Sequence, residues 1–587
     1  MTDISKSSNA LSEGVILDVQ GLKTYFPTRT GVVKAVDDVS FQLRRGKTTC
    51  IVGESGSGKS ITARSILQIL DPPGEIIAGT VRLNTVPRVG GRTSTVDLTA
   101  LPARSRAIRA IRGRDIAMIF QEPMSSLSPV HTIGDQIIET IRLHETVSKQ
   151  GARVRAIQLL RRTEIENPEI AIDRYTFEFS GGMRQRAMIA MALSCNPQVL
   201  IADEPTTALD VTTQAEILDL MRELQKSYGM AIMFITHDMG VVAEIADDVV
   251  VMRQGKVVET NTVEALFSSP QHPYTQRLLE SVIKLEHRAV SRPAETDLLA
   301  KVNDTILQVD NVSIEFSLPK KLFRSKPAPF RAVDQVSFTL ARGENLGIVG
   351  ESGSGKTTLG RTIASVITPT QGGIFYTFGA DGTTALQGLH GEGLAHYRRK
   401  VRMIFQDPYG SLNPRMTVGQ IIAEPLLNNT PLVGDVLQDR VADLLQQVGL
   451  PAEVMERYPH AFSGGQRQRI GIARAIALEP EVIICDEATS ALDVSIRSQV
   501  LDLLIDIQKK LDLSFIFIAH DIGVVRYFCD RVAVMRQGKI IEIGPASRVC
   551  TNPTHPYTKA LLSAIPNPDP MRRKMHLRQR YTDEAER

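Results

Sequence analysis

Two stretches of the chain have the spacing of a phosphate-binding loop. GESGSGKS begins at Gly53 and GESGSGKT begins at Gly350, and both fit the pattern G-x-x-x-x-G-K-[ST]. In such a loop the glycines let successive backbone N–H groups point at phosphate oxygens, and the next helix adds partial positive charge from its N-terminus. We therefore predict nucleotide binding by Gly53, Ser55, Gly56, Gly58, Lys59 and Ser60, and by Gly350, Ser352, Gly353, Gly355, Lys356, Thr357 and Thr358.

The elements around each loop fit this interpretation. An apolar, strand-like run precedes each loop (TTCIV and NLGIV), and a helix-like run follows it (ITARSILQIL and TLGRTIASVI). Lys59 and Lys356 are expected to reach the β- and γ-phosphates, and Ser60 and Thr357 to offer a hydroxyl to Mg²⁺. The alternative is a structural turn rich in glycine and serine, which does not explain the ending in Lys-Ser or Lys-Thr.

A second pair of motifs is acidic and indicates a metal ligand and a general base in each half. VLIADE and VIICDE read as buried strands of a parallel sheet that end in Asp-Glu. Asp203 and Asp486 are predicted to hold Mg²⁺ directly or through water. Glu204 and Glu487 follow them, where a general base could polarise an attacking water. The alternative is that Asp-Glu only ends a strand before a turn.

These motifs belong to a repeat that spans most of the chain. Lys59 and Lys356 are 297 residues apart, whereas Asp203 and Asp486 are 283 apart, mainly because the first half has a longer loop near residues 86–109 and also because of a two-residue shift between IFQ and FSGG. We predict a first domain at 14–283, a polar linker at 284–303, a second domain at 304–566 and a loosely ordered C-terminal tail at 567–587.

FSGGMRQR at 179–186 and FSGGQRQR at 462–469 resemble the signature loop of ATP-binding cassette (ABC) proteins. The order of motifs is also similar to that family: phosphate loop, IFQ, signature, acidic strand, TALD or SALD, then histidine. The resemblance implies an α/β fold with two tandem nucleotide-binding domains. Each would combine a RecA-like core, an antiparallel β subdomain and a helical signature subdomain.

The resemblance also implies roles for single residues. Each ATP would lie between one half's phosphate loop and the other half's signature, formed by Ser180, Gly181 and Gly182 or by Ser463, Gly464 and Gly465. Gln121 and Gln406 would sense Mg²⁺, His237 and His520 would contact the γ-phosphate, and Asp210 and Asp493 would cross between halves. Phe26 and Phe316 are the candidates for stacking on adenine, with Tyr25 as an alternative and simple strand packing as the competing interpretation.

Both halves keep their lysine, glutamine, signature serine, glutamate and histidine. The first signature has Met183 where the second has Gln466, a mild departure. Two hydrolysis-competent sites are therefore expected, with rates that can differ.

Further motifs resemble the ATPase subunits of dipeptide, oligopeptide and nickel importers. These are IFQEPMSSLSPVHTIGDQI, IFQDPYGSLNPRMTVGQII, and the recurring HPYT at 272–275 and 555–558. The fused layout is most similar to glutathione-type and peptide-type importers. It implies two membrane permease subunits, a periplasmic binding protein and a peripheral location on the cytoplasmic face of the inner membrane. The resemblance implies peptides or glutathione as the transported substrate, while some relatives carry opines, nickel or sugars.

Composition limits the other classes of function. The net charge is only +3, no apolar run is long enough to span a membrane, and the N-terminus lacks a secretory signal. The five cysteines form no CxxC pair and none follows Cys550, so reduced thiols and no iron–sulfur cluster are expected. The rival class is a soluble twin-cassette ATPase acting on ribosomes or DNA. For it the basic run at 103–114 would be a nucleic-acid patch rather than a solvated helix face.

Overall fold

The structure is a computed structural model of the full chain. It describes residues 11–29, 31–85, 94–121, 126–207, 209–287, 304–317, 329–379, 382–407, 410–489, 492–573, 578–579 and 581. Of the predicted segments, residues 86–93 of the longer loop, 288–303 of the linker and most of the tail beyond 573 lie outside these residues.

The chain divides into two compact units. The first contains Met1–Leu209, Thr213–Glu280 and Pro566–His576, and the second contains Asp210–Thr212, Ser281–Ile565 and Leu577–Arg587. Each unit therefore includes a short segment from the other half of the sequence.

In the first half, the described residues form two sheets. The antiparallel sheet has the order β2-β1-β4-β5, and the second sheet has the order β10-β9-β3-β8-β7-β6. The strands are β1 (Val15–Thr28), β2 (Gly31–Arg44), β3 (Thr48–Val52), β4 (Glu75–Thr85), β5 (Ser94–Asp97), β6 (Ile116–Ile119), β7 (Val199–Asp203), β8 (Ala231–Thr236), β9 (Asp248–Arg253) and β10 (Lys256–Thr262).

Strands β6, β7, β8, β3 and β9 run parallel, and β10 pairs antiparallel with β9 at the edge. Every residue of β3, β7 and β8 is buried, as expected for central strands covered on both faces. The carboxyl ends of β3 and β7 therefore bring the phosphate loop and the Asp-Glu pair to the same edge of the sheet.

Ten α-helices of the first half lie in the described residues. They are α1 (Lys59–Ile66), α2 (Arg106–Ile111), α3 (Ile133–His144), α4 (Lys149–Arg162), α5 (Pro168–Ala171), α6 (Gly181–Ala192), α7 (Val211–Tyr228), α8 (Met239–Ile245), α9 (Val263–Ser268) and α10 (Pro273–His287). Side-chain oxygens of Thr132, Ser148, Ser180 and Asp238 cap the helices that follow them.

The second half repeats this arrangement with sheets in the orders β12-β11-β14-β15 and β16-β17-β18-β13-β19-β20. Its described strands are β11 (Thr305–Phe316), β12 (Phe330–Ala341), β13 (Asn345–Val349), β14 (Gln371–Thr377), β15 (Thr383–Ala385), β16 (Val401–Ile404), β17 (Val482–Asp486), β18 (Ser514–Ala519), β19 (Arg531–Arg536) and β20 (Lys539–Pro545).

The helices of the second half include α11 (Lys356–Ile363), α12 (Gly391–Lys400), α13 (Val418–Asn429), α14 (Gly434–Gln447), α15 (Gly464–Ile476), α16 (Val494–Leu511), α17 (Ile522–Phe528), α18 (Ala546–Thr551) and α19 (Pro556–Ser563). A parallel core, an antiparallel sheet and a set of helices that precede and include the signature helix thus occur in both halves. The predicted α/β fold class with tandem cassettes is confirmed.

The beginning of the predicted tail is packed in the first unit. The Asn567 backbone N–H donates to Glu244 Oε1 at 3.1 Å, and Arg573 Nη2 donates to the Ala246 carbonyl at 2.6 Å. Glu244 is fully buried, so its carboxylate needs such donors. Residues 567–573 are therefore part of a folded unit.

The basic run at 103–114 contains a short helix with two buried isoleucines. Ile108 and Ile111 face the core, and the Arg112 guanidinium donates to the carbonyls of Leu67, Gln68 and Ala103. Burial lowers the pKa of Arg112. This arginine is used in packing against the backbone.

Replacing Phe517 by alanine tests the core of the second half. Phe517 lies in β18 and is fully buried, so Phe517→Ala is expected to lower the free energy of unfolding by about 3–5 kcal/mol. Urea unfolding of the full chain measures the loss. Phe330→Ala is the control, because Phe330 is 54% exposed and its replacement should lower the free energy of unfolding much less. Equal losses in the two variants would contradict the assignment of Phe517 to the core.

Candidate active site

Each phosphate loop joins a buried central strand to a helix that begins at its lysine. Gly58 and Gly355, which precede those helices, have φ of 99° and 100°. A Cβ atom there would lie 2.2 Å from the Ala35 carbonyl oxygen or 2.3 Å from that of Ala332. Glycine is required at both positions because side chains are excluded by backbone angle and by space.

The loop lysines are buried and hold the start of their own loops. Lys59 Nζ donates to the carbonyls of Gly53 and Glu54 at 2.7 and 2.9 Å. Lys356 Nζ makes the same bonds to Gly350 and Glu351 at 2.8 and 2.7 Å. Burial lowers the pKa of Lys356, while the acidic residues around it oppose that shift.

The loop hydroxyl and the strand aspartate lie together in both halves. Ser60 Oγ donates to Asp203 Oδ1 at 2.8 Å, and Thr357 Oγ1 donates to Asp486 Oδ1 at 2.9 Å. Burial raises the pKa of both aspartates, against the hydrogen bonds that they accept.

This donor set fits Mg²⁺. The atoms brought together are hydroxyl and carboxylate oxygens, which are the ligand type that Mg²⁺ prefers. In addition, Asp486 Oδ2 is buried and has no hydrogen-bond partner among the described residues. A cation would satisfy that oxygen.

The predicted base, glutamine and histidine converge in each half. Glu204 accepts from Gln121 Nε2 at 3.0 Å and from Thr207 Oγ1 at 3.0 Å, and its other oxygen lies 3.2 Å from His237 Nδ1. Glu487 accepts from Gln406 Nε2 at 2.8 Å and lies 3.3 Å from His520 Nδ1. Sequence reasoning missed Thr207, which carries no motif signal of its own.

The electrostatics keep both glutamates ionised. Burial opposes the charge of Glu204, but the hydrogen bond and charge of His237, with Lys59, outweigh it and lower its pKa to about 2. The pKa of Glu487 is lowered against burial in the same way by His520 and Lys356. At neutral pH each side chain is therefore a carboxylate that can accept a hydrogen bond from water.

Both glutamates have left-handed backbone conformations. The φ angles are 46° at Glu204 and 47° at Glu487, values uncommon for residues other than glycine. Each backbone N–H donates to the neighbouring strand, at Ile235 or Ile518. Such strain, repeated at the same position in both halves, is typical of functional sites.

The signature serines cap the helices that follow them. Ser180 Oγ accepts from the Met183 N–H and Ser463 Oγ accepts from the Gln466 N–H. The Gln466 side chain also accepts from the Ser463 N–H at 3.1 Å, a return bond that Met183 cannot make. Both signature serines are exposed at a helix N-terminus, where anions bind well.

The two aspartates that end TALD and SALD lie in the second unit. Thr212, two residues after Asp210, donates to both Asp210 Oδ1 at 2.7 Å and Glu351 Oε1 at 3.3 Å. Asp210 therefore lies near the phosphate loop that contains Lys356, whose charge it stabilises. Asp493 precedes α16 and is 8% exposed.

The adenine-stacking residues remain a prediction. Phe26 and Phe316 lie near the ends of β1 and β11, where they pair with Val33 and Phe330. Phe316 is 42% exposed, whereas Phe26 is half-buried beside Gly74. The Tyr25 hydroxyl donates to Asp37 on β2 at 2.7 Å, so this hydrogen bond ties the Tyr25 side chain to the neighbouring strand.

Comparison with known proteins agrees with this geometry. The ABC transporter family matches residues 36–207 and 333–490, and the C-terminal region of oligopeptide/dipeptide transporters matches 258–302 and 541–587. The fold and the paired sites define an ATPase built from two nucleotide-binding cassettes. The chain belongs to the ABC transporter family, as the ATP-hydrolysing subunit of an importer.

Its relatives are similar over nearly their whole length. The glutathione import ATP-binding protein GsiA of Shigella dysenteriae serotype 1 is 48% identical over 97% of this chain and 92% of its own. GsiA of Escherichia coli K12 is 47% identical over the same shares. Among solved structures, cbiO1 of Clostridium perfringens is 28% identical over 42% of this chain and 92% of its own, with a TM-score of 0.37.

The described residues contain neither a membrane-spanning helix nor a cluster of metal-binding side chains. No helix there is both long and apolar enough to cross a bilayer. No cluster of three or more His, Cys, Asp or Glu side chains in the same residues could hold a metal ion. The expected lack of an iron–sulfur cluster stays a prediction from the cysteine positions.

Substituting Gly58 tests the phosphate loop. Gly58→Ala places a Cβ against the Ala35 carbonyl, so ATP binding at the first loop should weaken by about tenfold or more. Calorimetric titration with ATP measures it. Gly229→Ala is the control, because Gly229 also has a positive φ but faces open space outside the site; equal weakening in both variants would contradict the prediction.

Proposed function

We propose that this ATPase powers the uptake of glutathione or short peptides through two separate membrane permease subunits, with a periplasmic protein delivering the solute. The observation that carries the proposal is similarity over nearly the full length to glutathione import proteins, together with two matches to the oligopeptide/dipeptide transporter C-terminal region. The chain would act as a peripheral protein at the cytoplasmic face of the inner membrane.

We propose two composite ATP sites. One would use Lys59 with the signature that starts at Ser463, and the other would use Lys356 with the signature that starts at Ser180. Exposed serine hydroxyls and glycine N–H groups at a helix N-terminus are suited to the phosphate of a nucleotide held by the opposite loop. Joining both halves in one chain raises their effective concentration for each other.

The chemistry would be the same at both sites. The ionised Glu204 or Glu487 would accept a hydrogen bond from the attacking water, while His237 or His520 orients that carboxylate. Gln121 donates to the other carboxylate oxygen of Glu204, whereas Gln406 donates to the same oxygen of Glu487 that His520 contacts. Mg²⁺, held by Ser60 and Asp203 or by Thr357 and Asp486, would neutralise phosphate charge.

A cavity beside Gln406 supports docking of a membrane subunit. Its volume is about 710 Å³, and Arg361, Arg402 and Arg474 line it against Asp407 and Glu424. Burial lowers the pKa of Arg402 and Arg474, so their charges are poorly hydrated. A cytoplasmic segment of a permease that carries a carboxylate would complement this lining.

The first half differs at the matching positions. Ala117 stands where the second half has Arg402, and Met191 where it has Arg474. The segments near Gln121 and Gln406 therefore differ in chemistry, which fits two different permease subunits. ATP would bind the closed arrangement of the halves more tightly than the open one. Binding would therefore favour closure, and closure would move these segments.

Co-purification tests the assignment to a transporter. Pulling down the tagged chain from membranes in mild detergent is expected to recover two polytopic proteins in a 1:1:1 ratio. Reconstitution of that complex with its binding protein should then give ATP-dependent uptake of labelled glutathione or dipeptides. Recovery of ribosomal proteins or nucleic acid without a membrane partner would contradict the proposal.

Single substitutions test whether both sites hydrolyse ATP. Glu204→Gln and Glu487→Gln each remove the carboxylate from one site, and loss of a general base costs about 10²–10⁴ in rate at that site. Turnover of the full chain should fall in each single variant by the share that its site contributes and vanish in the double variant. Glu223→Gln, an exposed glutamate on α7, is the control. If either single variant kept full turnover, equal competence would be wrong.

A further inference from the structure

The HPYT motif, which recurs in both halves, has no role in the sites described above. In the first half it begins α10, and in the second it begins α19. The tyrosine of each motif reaches the phosphate loop of its own half. The Glu54 backbone N–H donates to Tyr274 Oη at 2.9 Å, and the Glu351 N–H donates to Tyr557 Oη at 3.3 Å.

The same pair of atoms is brought together by two different lengths of chain. The contact spans 220 residues in the first half and 206 in the second. Each half has its own insertions and its own helix sequence, QRLLESV or KALLSAI after HPYT. Packing alone would not require both halves to preserve one hydrogen bond to the same peptide of the loop.

The edge strand and the histidine fix the start of each helix. Glu259 on β10 accepts from the backbone N–H groups of Gln271 and His272. His272 Nδ1 accepts from the Tyr274 N–H at 3.1 Å. These bonds satisfy donors that a helix start leaves open, and they set the direction of the tyrosine.

The second half repeats the arrangement bond for bond. Glu542 on β20 accepts from the N–H groups of Thr554 and His555, and His555 Nδ1 accepts from the Tyr557 N–H. The described contacts thus form a continuous path from the edge strand through HPYT to the phosphate loop in each half.

The rings are held as firmly as the hydroxyls. Tyr274 and Tyr557 are 3% and 2% exposed. The Arg253 guanidinium lies 5.1 Å from the centre of the Tyr274 ring, and that of Arg536 lies 5.2 Å from the Tyr557 ring. A buried ring between its helix and an arginine has little freedom to move its hydroxyl away from the loop.

The bond is made at a residue that the loop lysine also holds. Lys59 donates to the Glu54 carbonyl, and Tyr274 accepts from the Glu54 N–H. Lys356 and Tyr557 hold Glu351 in the same way. This residue is therefore fixed on both sides, at the turn where the loop leaves its strand.

We propose that Tyr274 and Tyr557 are positioning residues that hold the phosphate loops in their nucleotide-binding conformation. The C-terminal region of each half would then set the affinity of its own ATP site. Preordering a loop lowers the entropy that the nucleotide must overcome on binding. In the second half, Thr212 Oγ1 also donates to the Glu351 side chain, so Tyr557 holds a residue that contacts the segment after TALD.

Removing only the hydroxyls tests the proposal. Tyr274→Phe and Tyr557→Phe keep the ring and its arginine contact, so folding should be preserved. ATP binding is measured by calorimetry with Mg²⁺ in a full-length Glu204→Gln/Glu487→Gln background that does not hydrolyse ATP. The expected result is a Kd raised about three- to tenfold at the altered site, the range for loss of one hydrogen bond.

Turnover separates positioning from general damage. In chains with both glutamates, the Phe variants should raise KM for ATP by a similar factor and change kcat less than about twofold. Tyr376→Phe is the matched control, because Tyr376 is fully buried and its hydroxyl donates to Glu481 instead of contacting a phosphate loop. Thermal unfolding is followed for all variants.

Two results would overturn the proposal. One is an unchanged Kd and KM in both Phe variants. The other is an equal rise in Tyr376→Phe at a matched loss of thermal stability, since this would show a general effect of removing a buried hydroxyl.

Discussion

Burying opposite charges at one edge of a parallel sheet is the constraint on which the rest of the structure depends. A lysine ammonium and two carboxylates are kept there with little water, at Lys59, Asp203 and Glu204 in the first half. Buried charges are costly unless they are paired or hydrogen-bonded, so every nearby element provides partners. Loop carbonyls hold the lysine, a loop hydroxyl holds the aspartate, and a glutamine, a threonine and a histidine hold the glutamate.

Much of this could be predicted from the sequence, because the decisive residues carry local signals. The phosphate loops and the Asp-Glu strands combine fixed spacing with apolar runs, and the sheet order places both at the same edge. The glutamines and histidines were predicted by family resemblance as residues that sense Mg²⁺ and contact the γ-phosphate, and the structure places them against the glutamates. Their roles in hydrolysis stay predictions until they are tested by substitution.

Other features leave no such signal. The left-handed backbone at Glu204 and Glu487 depends on hydrogen bonds to a neighbouring strand, and no residue type marks it. Thr207 contacts Glu204 only because the chain turns after β7, so that the Thr207 hydroxyl lies beside the Glu204 carboxylate. The bond from Glu54 to Tyr274 joins residues 220 apart, so only the folded chain shows why a tyrosine follows His-Pro. The contacts of the predicted tail could not be read from a Pro-rich and charged composition either.

The docking of residues 567–573 on the first unit has a consequence for the synthesis of the protein. Glu244 and the Ala246 carbonyl receive hydrogen bonds from Asn567 and Arg573, which are synthesised after the second domain. Domains generally fold from the N-terminus during synthesis. Here the first unit cannot make its final contacts until the second half has been translated. Its completion therefore waits until Arg573 has been synthesised, and products that stop before residue 567 would carry an unfinished first unit.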